Sequence, residues 1–244
     1  MNQFPIGEHI SQEFNTELGG LRRQLLTMGG LVEQQITDAL KVLRDGDSQL
    51  AEKLDHADQE INQLEIALDE AGSHILVRRQ PAASDLRLIF AILKASSDLE
   101  RVGDEASKIG RLFLSLPVQE RDPTGFHEVL RLGEAAHSII HGALDAFARI
   151  DANAALTILR EDFRIDRDYE SFIRQSITYM MEDPRTIRRV FNSLWIGRSM
   201  ERMGDHAKNI CEYVIYLVYG KDVRHVRTDE IEKLMRSPPS PHSG

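Results

Sequence analysis

Apolar residues return at steps of three and four along almost the whole chain, the period of helices that bury one face. From about Glu8 to Arg44 the seam is Phe14, Leu18, Leu21, Leu25, Met28, Val32, Ile36, Leu40 and Leu43. Gly46 and Asp47 follow as helix stop and N-cap. A second helix is predicted from about Ser48 to Arg78, through Leu50, Leu54, Ile61, Leu64, Leu68, Ala71 and Ile75. Arg79-Gln80-Pro81-Ala82-Ala83 is a break, and Ser84 is the expected cap of a third helix over about Asp85 to Leu116. Its seam is Leu88, Ile92, Ala95, Leu99, Val102, Ala106, Ile109 and Phe113. Pro117 to Gly125, with two prolines and a glycine among charges, reads as a linker.

The second half repeats the first. At an offset of 104 positions, Gly29 aligns with Gly133, Ile36 with Ile140, Leu40 with Leu144, Asp47 with Asp151, Asp58 with Asp162 and Ile61 with Ile165. A fourth helix is predicted over about Phe126 to Arg149, and Asp151 caps a fifth that reaches Glu182. Asp183 and Pro184 then stand as N-cap and first residue of a sixth. In that helix the offset drops to 101, because the preceding turn is three residues shorter. Its seam is Ser193, Ile196, Met200, Met203, Ala207, Ile210, Val214 and Leu217. After Gly220 the chain is charged, with one short helix expected from Thr228 to Met235 and a disordered end from Ser237 to Gly244. The pattern predicts an all-α fold, a tandem repeat of two antiparallel three-helix bundles. Its divisions are a first repeat at 1–117, a second at 125–220 and a charged tail at 221–244. The two units could lie along their long sides in one elongated body, a geometry the seams leave open.

Composition narrows the partners more than the fold. With 30 basic and 39 acidic residues the net charge of −9 weighs against nucleic-acid phosphate as the main ligand. The lone Cys211 excludes an intramolecular disulfide, fits a reducing compartment and lies in an apolar run where it should pack. No stretch approaches the ~18 to 20 apolar residues of a membrane span, and Met1 to Phe14 has no secretory core. A cytoplasmic protein is expected, reaching any membrane only through partners.

The candidate chemistry is a short string written twice at the centre of the third and sixth helices. Glu100-Arg101-Val102-Gly103-Asp104 recurs as Glu201-Arg202-Met203-Gly204-Asp205. A step of four residues turns through about 400°, so Glu100 stacks on Asp104 and Glu201 on Asp205, on the flank of each helix. One reading is a solvated face, with Asp104 paired to Lys108 and Asp205 to Lys208. Against it, the whole string recurs where other surface positions do not, as Lys53 against Thr157 and Ser97 against Arg198 show. Each copy also carries a glycine inside a helix, which costs about 1 kcal/mol and implies a close approach.

Carboxylates without imidazole or thiolate on the same face suit hard cations: magnesium, manganese, calcium or iron. Asp162 and Asp166 on the fifth helix complete a second site with Glu201 and Asp205. Asp58 and Asn62 are their counterparts beside Glu100 and Asp104, so the first site is expected to carry one charge fewer and to bind more weakly. His206 should point about 100° away from Asp205. Glu134, His137, His141 and Asp145 supply one E-x-x-H where a di-iron bundle needs two, and read as surface or interhelical packing. No phosphate-binding loop, nucleophile elbow, dinucleotide fingerprint or zincin motif is present.

The two E-R-x-G-D strings, together with Gln80-Pro81-Ala82-Ala83-Ser84-Asp85-Leu86-Arg87 and Tyr179-Met180-Met181-Glu182-Asp183-Pro184-Arg185-Thr186-Ile187, resemble the PhoU family of bacterial phosphate-transport accessory and regulatory proteins. The resemblance covers about Ile10 to Met235. It implies a cytoplasmic homodimer that represses the phosphate-starvation response when phosphate is plentiful. Its implied partners are the ATPase subunit (PstB) of the phosphate ABC transporter and the sensor histidine kinase PhoR. It also implies metal ions on E(D)-x-x-x-D pairs, which map onto Glu100 with Asp104, Glu201 with Asp205, and Asp162 with Asp166, while Asn62 departs from the pattern. The competing readings are a metal-dependent enzyme or metal store that uses the paired carboxylates, and a purely structural helical spacer.

Overall fold

The structure is a computed structural model that describes residues 12–236. Seven helices carry it: α1 Gln12–Asp45, α2 Ser48–Arg79, α3 Ala83–Ser115, α4 His127–Arg149, α5 Ala152–Glu182, α6 Ile187–Tyr219 and α7 Thr228–Arg236. Among the described residues there is no strand. The expected first turn before Gln12 and the tail from Ser237 to Gly244 lie outside the described residues.

The repeat is visible first in the helix ends. Asp47 and Asp151 each accept from the backbone N–H groups two and three positions on, at 3.0 Å, and so satisfy two orphan donors of α2 and of α5. Each cap is worth about 1 kcal/mol. Asp183 caps as expected, but the turn it opens is a 3-10 turn, Pro184–Thr186, that leads into α6. Ser84 is not a cap. Helix α3 begins at Ala83, with Ala82 extended at the N-cap and no side-chain bond, because nothing after Pro81 prevents helical geometry and Ser84 falls inside the first turn.

Every residue of the predicted seams of α1, α3 and α6 is buried. The buried residues of both repeats join in one apolar core rather than two. Helices α3 and α6 form the most extensive contact and run antiparallel: Lys94 lies over Tyr213, Asp98 bonds Asn209, Glu105 pairs with Arg202 and Asn192 with Ser115. Helices α1 and α4 also cross antiparallel. Their join explains the repeated Gly29 and Gly133: a Cβ at Gly29 would stand 2.7 Å from Leu144 Cδ2, and one at Gly133 2.2 Å from Leu40 Cδ2. Each helix thus offers a hole for its neighbour's leucine, an exchange that binds the halves into one body.

The linker is folded. It contains the 3-10 turns Val118–Glu120 and Pro123–Phe126. Arg121 holds it against the first repeat, donating to the carbonyls of Leu116 and Leu114 and to Ser48 Oγ while its guanidinium lies over the Phe113 ring. After Tyr219 the chain turns at Gly220, whose φ of 67° is left-handed, and α7 returns to α5 through buried Ile231 and the Arg160–Glu232 pair.

Candidate functional site

Each E-R-x-G-D string sits where its helix meets the second helix of the same repeat. On α6, Gly204 lets a carboxylate of α5 approach the helix closely: a Cβ at this position would stand 3.0 Å from Asp162 Oδ1. On α3, a Cβ at Gly103 would stand 3.4 Å from Asp58 Oδ1 and 3.1 Å from Gln35 Oε1. The mid-helix glycines therefore make room for acidic oxygens. That is the reason for accepting about 1 kcal/mol of helix propensity twice.

The surroundings hold negative charge under strain. Burial, with Asp166 and Asp205 nearby, pushes Asp162 up to about 6. Burial raises Glu201 and Asp166 as well, with Asp205, Asp166 and Asp162 adding to the first and Asp205 and Glu170 to the second, against the opposing pull of Arg198. Lys208 eases Asp162 and Asp166. In the first repeat, burial raises Asp58, Glu65 and Glu100, with Asp104 adding to each. Asp104 and Asp205 themselves stand at the exposed rim.

The first site gains a carboxylate that the expectation of one charge fewer did not count. Glu65 on α2 joins Asp58, Glu100 and Asp104, a fourth carboxylate beside the three read from the sequence. Its partner position in the second repeat is Tyr169. The signal was present in the sequence, since Glu65 lies seven residues after Asp58 and so on the same face.

The expected surface pairings also change. Lys108 binds Glu105 Oε2 at 3.1 Å rather than Asp104, because Glu105 is buried at the α3–α6 seam and also takes Arg202 at 2.9 Å. His206 points away from the carboxylates as expected and meets Asp98 Oδ1 at 2.8 Å. His141 reaches Glu33 at 2.6 Å and His137 reaches Thr37 at 3.4 Å, so both serve the α1–α4 crossing. Asp145 is held by Arg149, and Glu134 by Arg44.

The donor set suits a hard cation. Asp58 Oδ1, Asn62 Oδ1 and Glu201 Oε2 are buried without hydrogen-bond partners, and all the converging ligands are oxygens. Among the described residues no three acidic, histidine or cysteine side chains already close into a cage. A cation at either site would draw its carboxylates inward from this looser arrangement.

Comparison with known proteins agrees with the internal repeat. The family model of the PhoU domain matches twice, at residues 25–113 and 129–214. A relative from Pseudomonas aeruginosa, named phosphate-specific transport system accessory protein PhoU homolog, is 52% identical over 226 residues, 93% of each chain. The Escherichia coli protein named phosphate-specific transport system accessory protein PhoU is 46% identical over 235 residues, 96% of this chain and 97% of that one. The crystal structure of PhoU from Pseudomonas aeruginosa superposes with a TM-score of 0.82, covering 85% of this chain and 100% of that chain. That of the phosphate transport system regulatory protein PhoU from Streptococcus pneumoniae gives 0.80 at 31% identity, over 86% and 99%.

Proposed function

The chain belongs to the PhoU family, and from that premise we propose that it is the accessory and regulatory protein of a phosphate-specific transport system. The observation that carries this reading is similarity along nearly the whole length of both chains to proteins bearing that name. The fold supports an adaptor rather than an enzyme. Its acidic sites contain no nucleophile poised by a base, and its long helices present broad faces to partner domains.

In detail, the protein links the transporter's ATPase subunit to the sensor kinase PhoR and keeps the kinase repressing while phosphate is plentiful. It acts as a cytoplasmic homodimer, and its link to the membrane runs through those partners. None of its described helices is long and apolar enough to cross a membrane. Two sites, Asp58, Glu65, Glu100 and Asp104 in one repeat and Asp162, Asp166, Glu201 and Asp205 in the other, would hold magnesium, manganese, calcium or iron. A bound cation would neutralise the crowded carboxylates, tie α2 to α3 and α5 to α6, and leave open positions for a partner's oxygen ligands.

The test is complementation. In a strain lacking its own family member, the chain should restore low output from a phosphate-starvation promoter in high phosphate and should co-purify with the ATPase subunit and the kinase. Constitutive output despite normal expression would sink the reading.

A further inference from the structure

The two repeats differ most at one end, and the difference leaves a cleft. Helix α1 has 34 residues but its counterpart α4 only 23, and the deficit lies at the N-terminus. In the first repeat the early turns of α1 lie in the groove between the end of α2 and the start of α3. Phe14, Leu18 and Leu21 are buried there, while Glu13 and Glu17 clasp Arg79 at 2.8 and 2.9 Å. In the second repeat the chain that would form those turns is the linker, which Arg121 holds against α3 instead. At the position of Phe14, 4% exposed, stands Val118, 73% exposed.

The groove it would have filled is open. Between the first turn of α4, the last turns of α5 and the first turns of α6 lies a cleft of about 420 Å³. Tyr179 on its wall is 49% exposed, whereas Ile75, the same position in the first repeat, is 6% exposed under α1. Ser193, which replaces the buried Ile92, lines the floor with its Oγ buried and unpartnered. Much of the Tyr179–Ile187 string surrounds this cleft, although the acidic sites make no use of it. The rim has also gained acidic charge: Asp183, itself paired with Arg185, stands where Arg79 stands, and Glu182 and Glu128 lie beside it against the single lining cation Arg189.

We infer that this cleft is a helix-docking site whose occupant is an amphipathic helix of a partner protein. That helix carries apolar side chains at i, i+4 and i+7 and basic side chains on the flank where α1 carries Glu13 and Glu17. The molecule's own first repeat is the template for the geometry, and the excess of Glu128, Glu182 and Asp183 over Arg189 along the lining sets the charge. A hydroxyl on the floor, Ser193 where the first repeat has Ile92, suits a groove that is alternately wet and filled. The inference deepens the adaptor reading and rests on it for the existence of such a partner.

The probe is a fluorescent, helix-stapled peptide of residues 12–24 carrying Glu13→Lys and Glu17→Lys, titrated by anisotropy against the full chain. Saturable binding of one peptide per chain is expected, with at least tenfold weaker binding of the unreversed peptide. Tyr179→Lys and Glu182→Lys, both at exposed positions, should each weaken the reversed peptide tenfold or more while leaving the melting curve unchanged. Absence of saturation overturns the inference. So does binding indifferent to both variants, which would mean that the peptide displaces α1 from its own groove. Dissociation of a homodimer by Tyr179→Lys, read by light scattering, would assign the cleft to a second copy and overturn it as well. A chain that binds the peptide but fails to restore promoter repression loses the adaptor reading alone, and the converse result loses the cleft alone.

Discussion

Gly204 and Asp162 are fitted to each other: a single added methyl on the glycine would come within 3.0 Å of the carboxylate oxygen. The contact is too close for an ordinary alanine, yet the obstacle is the end of a side chain that can rotate. Gly204→Ala should therefore stay folded, because the gain of about 1 kcal/mol in helix propensity offsets the crowding. It should still swing Asp162 off its position. The expected result is a melting temperature within a few degrees of the parent, with Mn²⁺ affinity by calorimetry reduced at least tenfold. Unchanged affinity would remove the glycine from the cation site.

Neutralising Asp162 separates charge strain from ligation. With its pKa raised to about 6 by burial and by Asp166 and Asp205, the ionised carboxylate at pH 7.5 opposes folding. Asp162→Asn should raise the melting temperature in chelator by a few degrees, on the order of 1 kcal/mol. The same variant should lose most of the stabilisation that Mn²⁺ gives the parent. Equal gains from Mn²⁺ in both proteins would show that the cation acts elsewhere.

The elements were legible because their causes are local. Seams at three and four, Asp47 and Asp151 as caps, and Gly29 aligned with Gly133 all follow from side-chain period and backbone chemistry. What the sequence hid depends on which helix lies beside which. Glu105 and Asp98 are buried only because α6 covers them, and Lys108 then prefers the buried Glu105 to the exposed Asp104. The linker's folding was hidden because the carbonyls that Arg121 seeks are supplied only by the folded end of α3. Glu65 is hidden for a different reason: it stands seven residues from Asp58, two turns along the same face, outside the four-residue step of the E-x-x-x-D pairs.

Glu65 should matter in the first repeat as Asp166 does in the second. Glu65→Gln keeps the shape and removes one of four negative charges. Titration with Mn²⁺ should then show one class of site weakened several-fold and the other unchanged, and Asp166→Asn should produce the mirror result. If Glu65→Gln leaves both classes alone, the first site is the three-carboxylate site its Asn62 suggested.

Stability should also depend on Glu212, well away from both strings. This α6 residue is 5% exposed, and burial pushes it up to about 7, with Asp222 and Asp98 adding to the effect and Lys208 and Arg224 opposing it. The folded state thus keeps its proton to a higher pH than the unfolded chain, where a glutamate titrates near ~4.3. Stability associated with the protonated form is present below that value and is lost as pH rises toward 7. In metal-free buffer the parent should melt lower at pH 7.5 than at pH 5. Glu212→Gln should raise the melting temperature at pH 7.5 with little effect at pH 5. A variant whose pH profile parallels the parent's would exclude Glu212 as a source of the slope.

The strongest single polar tie between the repeats is Asp98. Its carboxylate accepts from His206 Nδ1 at 2.8 Å, Asn209 Nδ2 at 2.9 Å and Tyr213 OH at 2.8 Å, three donors from consecutive turns of α6. Asp98→Ala removes all three hydrogen bonds at once and leaves the donors in a seam too tight to hydrate freely. Each orphaned donor costs about 1 to 3 kcal/mol, though shared relaxation keeps the total nearer 3 to 5 kcal/mol. At this chain length that corresponds to a melting temperature lower by roughly 6 to 20 °C. Asp98→Asn retains one accepting oxygen and should lose about half as much. Because α3 and α6 also carry the two acidic strings, a loosened seam should weaken both cation sites together, whereas Gly204→Ala weakens one. A melting temperature for Asp98→Ala within 2 °C of the parent would mean that the apolar core alone joins the repeats, and that these three hydrogen bonds set only their register.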